Sequence, residues 1–395
     1  MQVSNVAVVG AGTMGASIAV ALAMRGYPVI VKEATDELLE KGLANIEKLN
    51  KKRIEKGGNP EHIQEERNRI EGTTSYAKFA DIDLVIEAVP ENIDIKRSVF
   101  EDLDEYTNVN AILASNTSSL PITQIGAFTR RPDKVVGLHF FNPAHLMRLV
   151  EVIPGLETST DTVETCLQFA QSLDKLAVRV DECASFLVNR LLGRYMNEAL
   201  FCLQEGLAGI EEIDNAAREF VVPVGPLALR DMNGADIGLA VAKFNYQEYG
   251  ERFTPPAILS EMVDANMLGR KTGAGFYLYD EKSGQKQGPN PRVAELLKSL
   301  KTEKKSDSFK VERLFLPMIN EAFIALQERV CAAEDLDPAL MAGLGMRRGP
   351  LTIAADIGLK ECLEMLEDLH KTYGERFRPA PLLKRHVWAR RLSVL

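Results

Sequence analysis

Residues 5–26, NVAVVGAGTMGASIAVALAMRG, decide the fold of the N-terminal part of the chain. The apolar run NVAVV is typical of a buried strand, and the segment after Thr13 is typical of a helix. Between them, Gly10 permits a tight turn, Gly12 lets the backbone approach a pyrophosphate, and Gly15 packs the helix on the strand. The start of the helix also presents free N–H groups and a positive dipole to phosphates. The stretch therefore predicts a strand–turn–helix unit that binds a dinucleotide.

The next apolar run, YPVIVKE, identifies the cofactor more closely. It ends at Glu33, about 20 residues after the glycines, where a carboxylate accepts the ribose hydroxyls of NAD. The same carboxylate repels the 2′-phosphate of NADP, so NAD is the predicted cofactor and no metal is expected. The residues predicted to bind it here are Gly10, Gly12, Thr13, Met14, Gly15 and Glu33.

Short apolar runs continue through the first 180 or so residues and predict a sheet with helices between its strands. They read NVAVV, YPVIVKE, IDLVIEAV, AILASN, KVVGLHFF, LVEVI and LAVRV. A long charged stretch at 36–70, broken by GGNP, predicts an inserted pair of helices. The chain is therefore expected to begin with an α/β domain of the Rossmann type over residues 1–183.

After Cys183 the chain becomes helical and repeats itself. FLVNRLLGRYMNEALFCLQEG aligns with FKVERLFLPMINEAFIALQER, and YGERF recurs unchanged, at an offset of 123 or 124 residues. A long period that occurs twice predicts two tandem all-α domains that pack as a pseudo-two-fold pair. We expect the first at 184–282, the second, a degenerate copy, at 307–395, and a polar linker at 283–306.

Composition narrows the class of function. The formal charge of −9 disfavours nucleic-acid and anionic-membrane partners. The five cysteines are scattered without metal-ligand spacing, which is typical of reduced thiols in a cytoplasmic protein. The chain contains no apolar run of about 20 residues and no signal-peptide pattern. A cytoplasmic location is therefore predicted.

Several motifs carry a family resemblance over essentially the whole chain. IEAVPEN, AILASNTSSLPIT, VVGLHFFNPAHLMRLVEVI and SFLVNR follow the glycine loop in that order. With that loop they resemble the 3-hydroxyacyl-CoA dehydrogenase family. The resemblance is closest to the dehydrogenase half of multifunctional fatty-acid oxidation proteins, which carry two C-terminal helical domains.

The resemblance implies roles for individual residues. It places the catalytic histidine at His139, its glutamate partner at Glu151, a substrate-binding serine at Ser118 and an active-site asparagine at Asn189. It also implies that Glu91, Lys96 and Lys271 contact NAD. Asn142 is expected to contact both the cofactor and the substrate.

These residue types suit the oxidation of a secondary alcohol by NAD. A histidine can remove the hydroxyl proton as hydride leaves the same carbon. A carboxylate on the far ring nitrogen fixes the tautomer and stabilises the imidazolium. Each residue also has an ordinary structural explanation, and their joint occurrence in order favours catalysis. His145, beyond Pro143, is expected to line the cleft at most.

Coenzyme A is anionic, so an acidic protein needs a local basic patch to bind it. One face of the first inserted helix carries such residues, with Lys52 or Arg53 the predicted phosphate contact. The alternative is a solvated charged face, since acidic residues are interleaved with the basic ones. The basic residues are Lys48, Lys51, Lys52, Arg53 and Lys56.

The predicted function is that of an NAD-dependent (3S)-3-hydroxyacyl-CoA dehydrogenase in fatty-acid or related acyl-CoA metabolism. One alternative is a dehydrogenase of a free 3-hydroxy acid, similar to lambda-crystallin, and another is a non-catalytic NAD-binding subunit of a complex. The 3-hydroxyisobutyrate and 6-phosphogluconate dehydrogenases use a catalytic lysine, so the HFFNP and LVEV motifs argue against them.

The repeat also bears on partners. Where the first copy has Asn189 in FLVNR, the second has Glu312 in FKVER, so we expect the second domain to be architectural. It would cover the surface that a partner subunit covers in a shorter dimeric relative, which predicts a monomer or a dimer that uses other surfaces. A weak association with a hydratase or thiolase is possible in this scheme. We expect hydration to be done by a separate enzyme, since the chain begins at the dinucleotide-binding strand.

Overall fold

A computed structural model describes residues 2–280, 282–300 and 308–394. The chain divides into two compact units, Met1–Phe186 and Leu187–Leu395. The first unit is α/β and the second is almost entirely helical, which confirms the predicted fold class. Each unit is described in turn.

The N-terminal unit is built on one eight-stranded sheet of order β3-β2-β1-β4-β5-β6-β7-β8. Neighbouring strands are parallel except β6 and β7, which form an antiparallel pair. Most strands are buried on both faces because helices cover them, as in doubly wound folds. The strands are β1 (Val6–Val9), β2 (Val29–Lys32), β3 (Ile70–Thr73), β4 (Leu84–Glu87), β5 (Ile112–Ser115), β6 (Val135–Phe140), β7 (Leu149–Pro154) and β8 (Leu176–Arg179).

Each predicted apolar run is a strand, and one edge strand was not predicted. β3 has the sequence IEGT, in which only Ile70 is buried, so it lacks the apolar run that marks the others. It forms because its backbone pairs with β2. The helices of this unit are α1 (Thr13–Ala23), α2 (Asp36–Glu55), α3 (Pro60–Arg67), α4 (Ile93–Tyr106), α5 (Ile122–Gly126) and α6 (Thr160–Ser172).

The glycine loop lies against the end of β4. Gly10 has a φ of +92°, and a Cβ there would lie 2.8 Å from the Ala88 carbonyl oxygen. A Cβ at Gly15 would lie 1.7 Å from the Gly10 carbonyl oxygen, so α1 packs directly on the turn. Both positions therefore require glycine, and the loop is fixed between β1 and β4.

The inserted helical pair predicted at 36–70 is present as α2 and α3. The Thr35 hydroxyl caps α2 by accepting from the Leu38 N–H, and the Asn59 side chain caps α3. Gly42 lets α2 approach the glycine loop, since a Cβ there would lie 2.2 Å from that of Ala11.

The C-terminal unit contains the two predicted copies in the same helix order. The first copy is α7 (Val188–Gln204), α8 (Ile210–Phe220), α9 (Pro226–Asn233), α10 (Ala235–Tyr249) and α11 (Ala257–Asp264). The second is α13 (Glu312–Gln327), α14 (Ala333–Leu344), α15 (Pro350–Ile357), α16 (Leu359–Tyr373) and α17 (Pro381–Trp388).

Equivalent ion pairs join the two copies within this unit. Arg190 on α7 contacts Glu321 on α13 and Glu328, the residue that follows α13, at 2.7 Å in both cases. Its counterpart on α13, Arg313, contacts Glu198 on α7 at 2.9 Å and Glu205, the residue that follows α7, at 2.5 Å. The pairing is reciprocal, as expected for copies related by a pseudo-two-fold axis.

The predicted linker at 283–306 contains regular structure. It holds β10 (Lys286–Pro289), which pairs with β9 (Tyr277–Tyr279), and the helix α12 (Pro291–Ser299). The Asn290 amide donates to the Gly275 carbonyl at 2.9 Å, and Val293 is buried, so these contacts anchor a segment of polar composition. Residues 301–306 of that prediction, and residue 307 of the predicted second domain, lie outside the described residues.

Among residues 2–280, 282–300 and 308–394, the helices are too short or too polar to span a bilayer.

Candidate active site

The β6–β7 pair sets His139 opposite Glu151. The two residues are direct cross-strand partners in the antiparallel register, and their side chains therefore lie on the same face. The His139 Nδ1 lies 2.7 Å from Oε2 of Glu151, and the carboxylate is fully buried. A carboxylate accepts hydrogen bonds, so this contact favours the tautomer in which Nδ1 carries the proton and Nε2 can accept one. The predicted hydrogen bond between the two side chains is thus present.

Ser118 completes a row of three polar side chains. It lies in the loop after β5, and its Oγ is 3.2 Å from His139 Nε2. Ser118 is exposed and His139 is buried, so Nε2 is the ring nitrogen that faces the serine loop. The rings of Phe141 and Phe186 flank the imidazole at centroid distances of 4.6 and 5.7 Å.

Asn116, which was not predicted as a site residue, ties the serine loop to the histidine strand. Its side-chain oxygen accepts from the Phe140 N–H at 2.9 Å, next to His139 in the chain. A sequence signal for this role existed, since Asn116 is a polar residue at the end of the buried run AILAS.

The glycine loop has the features that a dinucleotide requires. The strand order changes direction between β1 and β4, and ligands of such sheets bind in the crevice at that point. Gly12 precedes α1 without a side-chain cap, and a Cβ there would meet nothing within 4 Å. The first-turn N–H groups are therefore presented to open space, which fits a pyrophosphate.

The remaining predicted residues of the loop surround this opening. Thr13 is exposed and Met14 is half-buried. The Glu33 carboxylate accepts from the Ala11 N–H at 2.5 Å, which holds it beside the turn. These positions fit an adenosine ribose and pyrophosphate bound along the loop, and NAD when bound would supply the hydride acceptor.

Lys96, predicted to contact NAD, is enclosed by protein. It is 1% exposed, and its Nζ lies 2.7 Å from the Glu87 carboxylate and 3.4 Å from that of Glu91. The ammonium group therefore already has two protein partners. Glu87, fully buried, was not predicted; its only sequence signal is a carboxylate that ends the apolar run IDLVIE.

Glu91, predicted as an NAD contact, holds the serine loop. Its Oε1 accepts from the Thr117 hydroxyl at 2.5 Å, from the Ser118 N–H at 3.0 Å and from the Ser119 N–H at 3.2 Å. Burial by itself raises the pKa of Glu91, but the Lys96 charge and these hydrogen bonds outweigh it, so the pKa lies below its usual value.

Other predicted residues are placed as follows. Asn142 is exposed in the turn after β6. Asn189 is half-buried in the first turn of α7, and Lys271 is exposed and paired with Asp236 at 2.5 Å. Asn189 and Lys271 belong to the C-terminal unit, and their contribution to the site stays a prediction.

The basic face of α2 is only partly available to an anionic ligand. Arg53 lies 2.6 Å from Glu66 on α3 and donates to Asn50, so its guanidinium is held within the helical pair. Lys52 is exposed and is the stronger candidate of the two for a phosphate contact.

His145 does not join the row formed by Ser118, His139 and Glu151. Its Nδ1 lies 2.9 Å from the Ser17 hydroxyl on α1. Burial lowers the pKa of His145, and the charges of Arg53, Lys175 and Lys56 lower it further. The two histidines of the HFFNPAH segment therefore have different surroundings.

Comparison with known proteins identifies the family. The NAD-binding domain of 3-hydroxyacyl-CoA dehydrogenase matches residues 5–183, which confirms the predicted cofactor. The C-terminal domain of the same family matches twice, at 186–279 and 309–394, in agreement with the repeat.

Individual relatives agree with these matches. A solved 3-hydroxybutyryl-CoA dehydrogenase from Escherichia coli is 30% identical with a TM-score of 0.88, over 98% of this chain and 99% of that one. An (S)-3-hydroxybutyryl-CoA dehydrogenase from Ralstonia eutropha is 40% identical with a TM-score of 0.67, and all of it matches 71% of this chain. The peroxisomal fatty acid beta-oxidation multifunctional protein MFP2 of Arabidopsis thaliana is 35% identical over 97% of this chain.

The chain spans about half the length of the curated relatives it matches, 54% in the case of the Arabidopsis protein. Two matched family domains and a relative covered from end to end nevertheless account for nearly all of its residues. The resemblance drawn from the motifs and the predicted class of enzyme, an oxidoreductase, are confirmed. The chain belongs to the 3-hydroxyacyl-CoA dehydrogenase family.

Proposed function

We propose that the protein is an NAD-dependent (3S)-3-hydroxyacyl-CoA dehydrogenase that interconverts 3-hydroxyacyl-CoA and 3-ketoacyl-CoA. The observation that supports this most is the row Ser118–His139–Glu151, with distances of 3.2 and 2.7 Å between successive partners. The row lies in the unit whose glycine loop fits a dinucleotide. A base and a hydride acceptor in one unit are what the oxidation of an alcohol needs.

The proton is handled by His139. In the oxidative direction Nε2 accepts the proton of the substrate hydroxyl while hydride leaves the same carbon. The buried Glu151 carboxylate stabilises the imidazolium that forms and holds the ring so that Nε2 faces the substrate. In the reductive direction the same nitrogen returns the proton to the new alkoxide.

Ser118 binds the substrate oxygen. Its hydroxyl is within hydrogen-bonding distance of Nε2, so a substrate oxygen placed between the two contacts both. The bound oxygen then replaces the direct contact between serine and histidine. Asn189, by the family resemblance, contributes a side-chain amide to the same substrate.

Coenzyme A is the proposed carrier of the acyl group. The exposed lysines of α2 offer positive charge on an otherwise acidic chain, and Lys52 is our candidate for the contact to a phosphate. The proposed setting is fatty-acid or related acyl-CoA metabolism in the cytoplasm, where a hydratase and a thiolase would act before and after this step.

The test is an absorbance assay of NADH oxidation with acetoacetyl-CoA and with longer 3-ketoacyl-CoA esters. We expect turnover with the CoA esters and NADH, slower turnover with NADPH, and none with free acetoacetate. Turnover of the free acid without turnover of the esters would instead identify a free 3-hydroxy acid dehydrogenase. NADH binding without turnover of any of these would favour a non-catalytic subunit.

A further inference from the structure

Glu87 occupies a special place in the sheet. It is the last residue of β4 and pairs in register with Val9, the residue before the glycine loop. It therefore lies at the point where the strand order changes direction, beside the cofactor crevice. A fully buried carboxylate at such a place is costly unless other groups compensate its charge.

Three donors compensate the charge of Glu87. Its Oε1 accepts from the Val89 N–H and from Lys96 Nζ, both at 2.7 Å, and its Oε2 accepts from the Ser115 hydroxyl at 2.6 Å. Ser115 ends β5, so the carboxylate joins the ends of two neighbouring strands. The ammonium group of Lys96 is in turn buried and shared with Glu91.

Glu91 connects Lys96 to the serine loop. It lies outside the helices and strands, just before α4, and 40% of its side chain is exposed. Its hydrogen bonds to the Ser118 and Ser119 N–H groups fix the backbone from which the Ser118 hydroxyl projects toward His139. Without Lys96, the Glu91 carboxylate would lose the charge that keeps it against the loop.

We propose that Glu87 and Lys96 are positioning residues that act through Glu91 to hold Ser118 in place for the reaction. This rests on the proposed function in so far as Ser118 contacts the substrate. Lys96 would have this role beside the cofactor contact that the family resemblance implies, because its ammonium group lies between the two carboxylates.

The proposal is tested with Lys96→Met and Glu87→Gln in the full chain. In both variants we expect faster hydrogen exchange at the Ser118 and Ser119 amides, read by mass spectrometry, with the amides of β5 and β6 still protected. We also expect kcat with acetoacetyl-CoA to fall roughly ten- to a hundredfold, as for a misplaced contact group. In Glu87→Gln the KM for NADH should change little.

Lys78→Met is the matched control. Lys78 also pairs with a carboxylate, Glu71, but both side chains are more than half exposed. Exchange and kcat should be those of the wild type. Circular dichroism identifies a variant that fails to fold. If Lys96→Met fails to fold, hydrogen exchange and kcat in Glu87→Gln, which keeps the shape of the side chain, test the proposal.

Two results would overturn the proposal. One is unchanged exchange together with a raised KM for NADH in Lys96→Met, which would show that Lys96 contacts the cofactor and does not hold the serine loop. The other is wild-type exchange and kcat in both variants. A wild-type protein inactive on CoA esters would refute the proposed function, and the exchange measurement would still decide whether Glu87 and Lys96 hold the serine loop.

Discussion

The hydrogen bond between His139 and Glu151 predicts a strong effect from a small substitution. Glu151→Gln keeps the size of the side chain but removes the charge that stabilises the imidazolium. We expect kcat to fall by roughly 10²-fold or more, a changed pH profile, and unchanged NADH affinity. Steady-state kinetics across pH, with NADH binding followed by fluorescence, measure these quantities.

His145→Ala is the control for that measurement, because His145 contacts Ser17 rather than the row of Ser118, His139 and Glu151. Its effect on kcat should be far smaller. If the two variants exchanged these behaviours, the assignment of the catalytic histidine would be wrong.

Glu91 predicts a pH dependence of stability. Its pKa is lowered from the usual 4.5 in the folded protein, so folding favours the ionised carboxylate. Its stabilising contribution is then complete above the unfolded pKa and is lost as pH falls through the folded pKa. Glu91→Gln should therefore lower the free energy of unfolding at pH 7 more than at pH 4, as measured by urea titration. An equal loss at both pH values would contradict the assigned cause.

The motifs of the sequence pointed to His139 and Glu151 as partners, but not to the groups that surround them. His139 and Glu151 stand in motifs that resemble a known family, and each interrupts a run that is otherwise apolar. Lys96 stands among charged residues of a helix, where a lysine ordinarily faces solvent. Its burial depends on Glu87 in a neighbouring strand, which local sequence does not reveal.

The helical pair α2–α3 predicts which part of the substrate it recognises. Lys52→Gln should raise the KM for acetoacetyl-CoA and leave the KM for acetoacetyl-pantetheine, which lacks the nucleotide phosphates, unchanged. The reason is that an exposed ammonium acts on the phosphates as a point charge, screened by salt. Kinetics with the two substrates at low ionic strength separate these contributions.

Lys41→Gln is the matched control, since Lys41 lies on the same helix and pairs with Glu37 at its N-terminal end. Its KM values should equal those of the wild type. A rise in the KM of both substrates with Lys52→Gln would argue against a phosphate contact.

At the element scale, strands that are buried on both faces were predictable because they read as continuous apolar runs. β3 and β10 were not, because polar residues and glycine dominate both and only pairing with a neighbour makes them strands. The register between β6 and β7 was also not predictable from the sequence. It places His139 opposite Glu151 through its register, and a shift of one residue would direct the two side chains to opposite faces.

The whole molecule depends on the packing of its two helical copies. Arg190 and Glu321 are both fully buried, and Arg252 shares the same carboxylate. Glu321→Gln removes the buried carboxylate that Arg190 and Arg252 share, and we expect the C-terminal unit to lose about 3–5 kcal/mol of unfolding free energy. Urea unfolding followed by circular dichroism measures the loss, and NADH affinity should not change.

Glu328→Gln is the matched control, because Glu328 contacts the same arginine but is 44% exposed. A partly solvated pair contributes less than about 1 kcal/mol. Equal losses in the two variants would contradict the account of the buried network. The repeat in the sequence predicted that the copies pair, but not through which residues, because the carboxylates that contact Arg190 and Arg313 lie more than a hundred positions away from them.

The predicted oligomeric state rests on the second helical copy. If that copy covers the surface that a partner subunit covers in shorter relatives, we expect a monomer, or a dimer that uses other surfaces. Analytical ultracentrifugation distinguishes the two, since a monomer has the mass of one chain, 43.7 kDa. A dimer formed through the C-terminal helices would refute the architectural role of the second copy.

We propose that His139 transfers the proton in a reaction that also uses NADH. The direct measurement is the turnover of acetoacetyl-CoA by the wild type and by His139→Ala, with NADH binding measured on the same samples. We expect the rate to fall by roughly 10²–10⁴-fold in the variant while NADH affinity is retained. A variant that keeps the wild-type rate, or a wild type that binds NADH but does not reduce acetoacetyl-CoA, would contradict it.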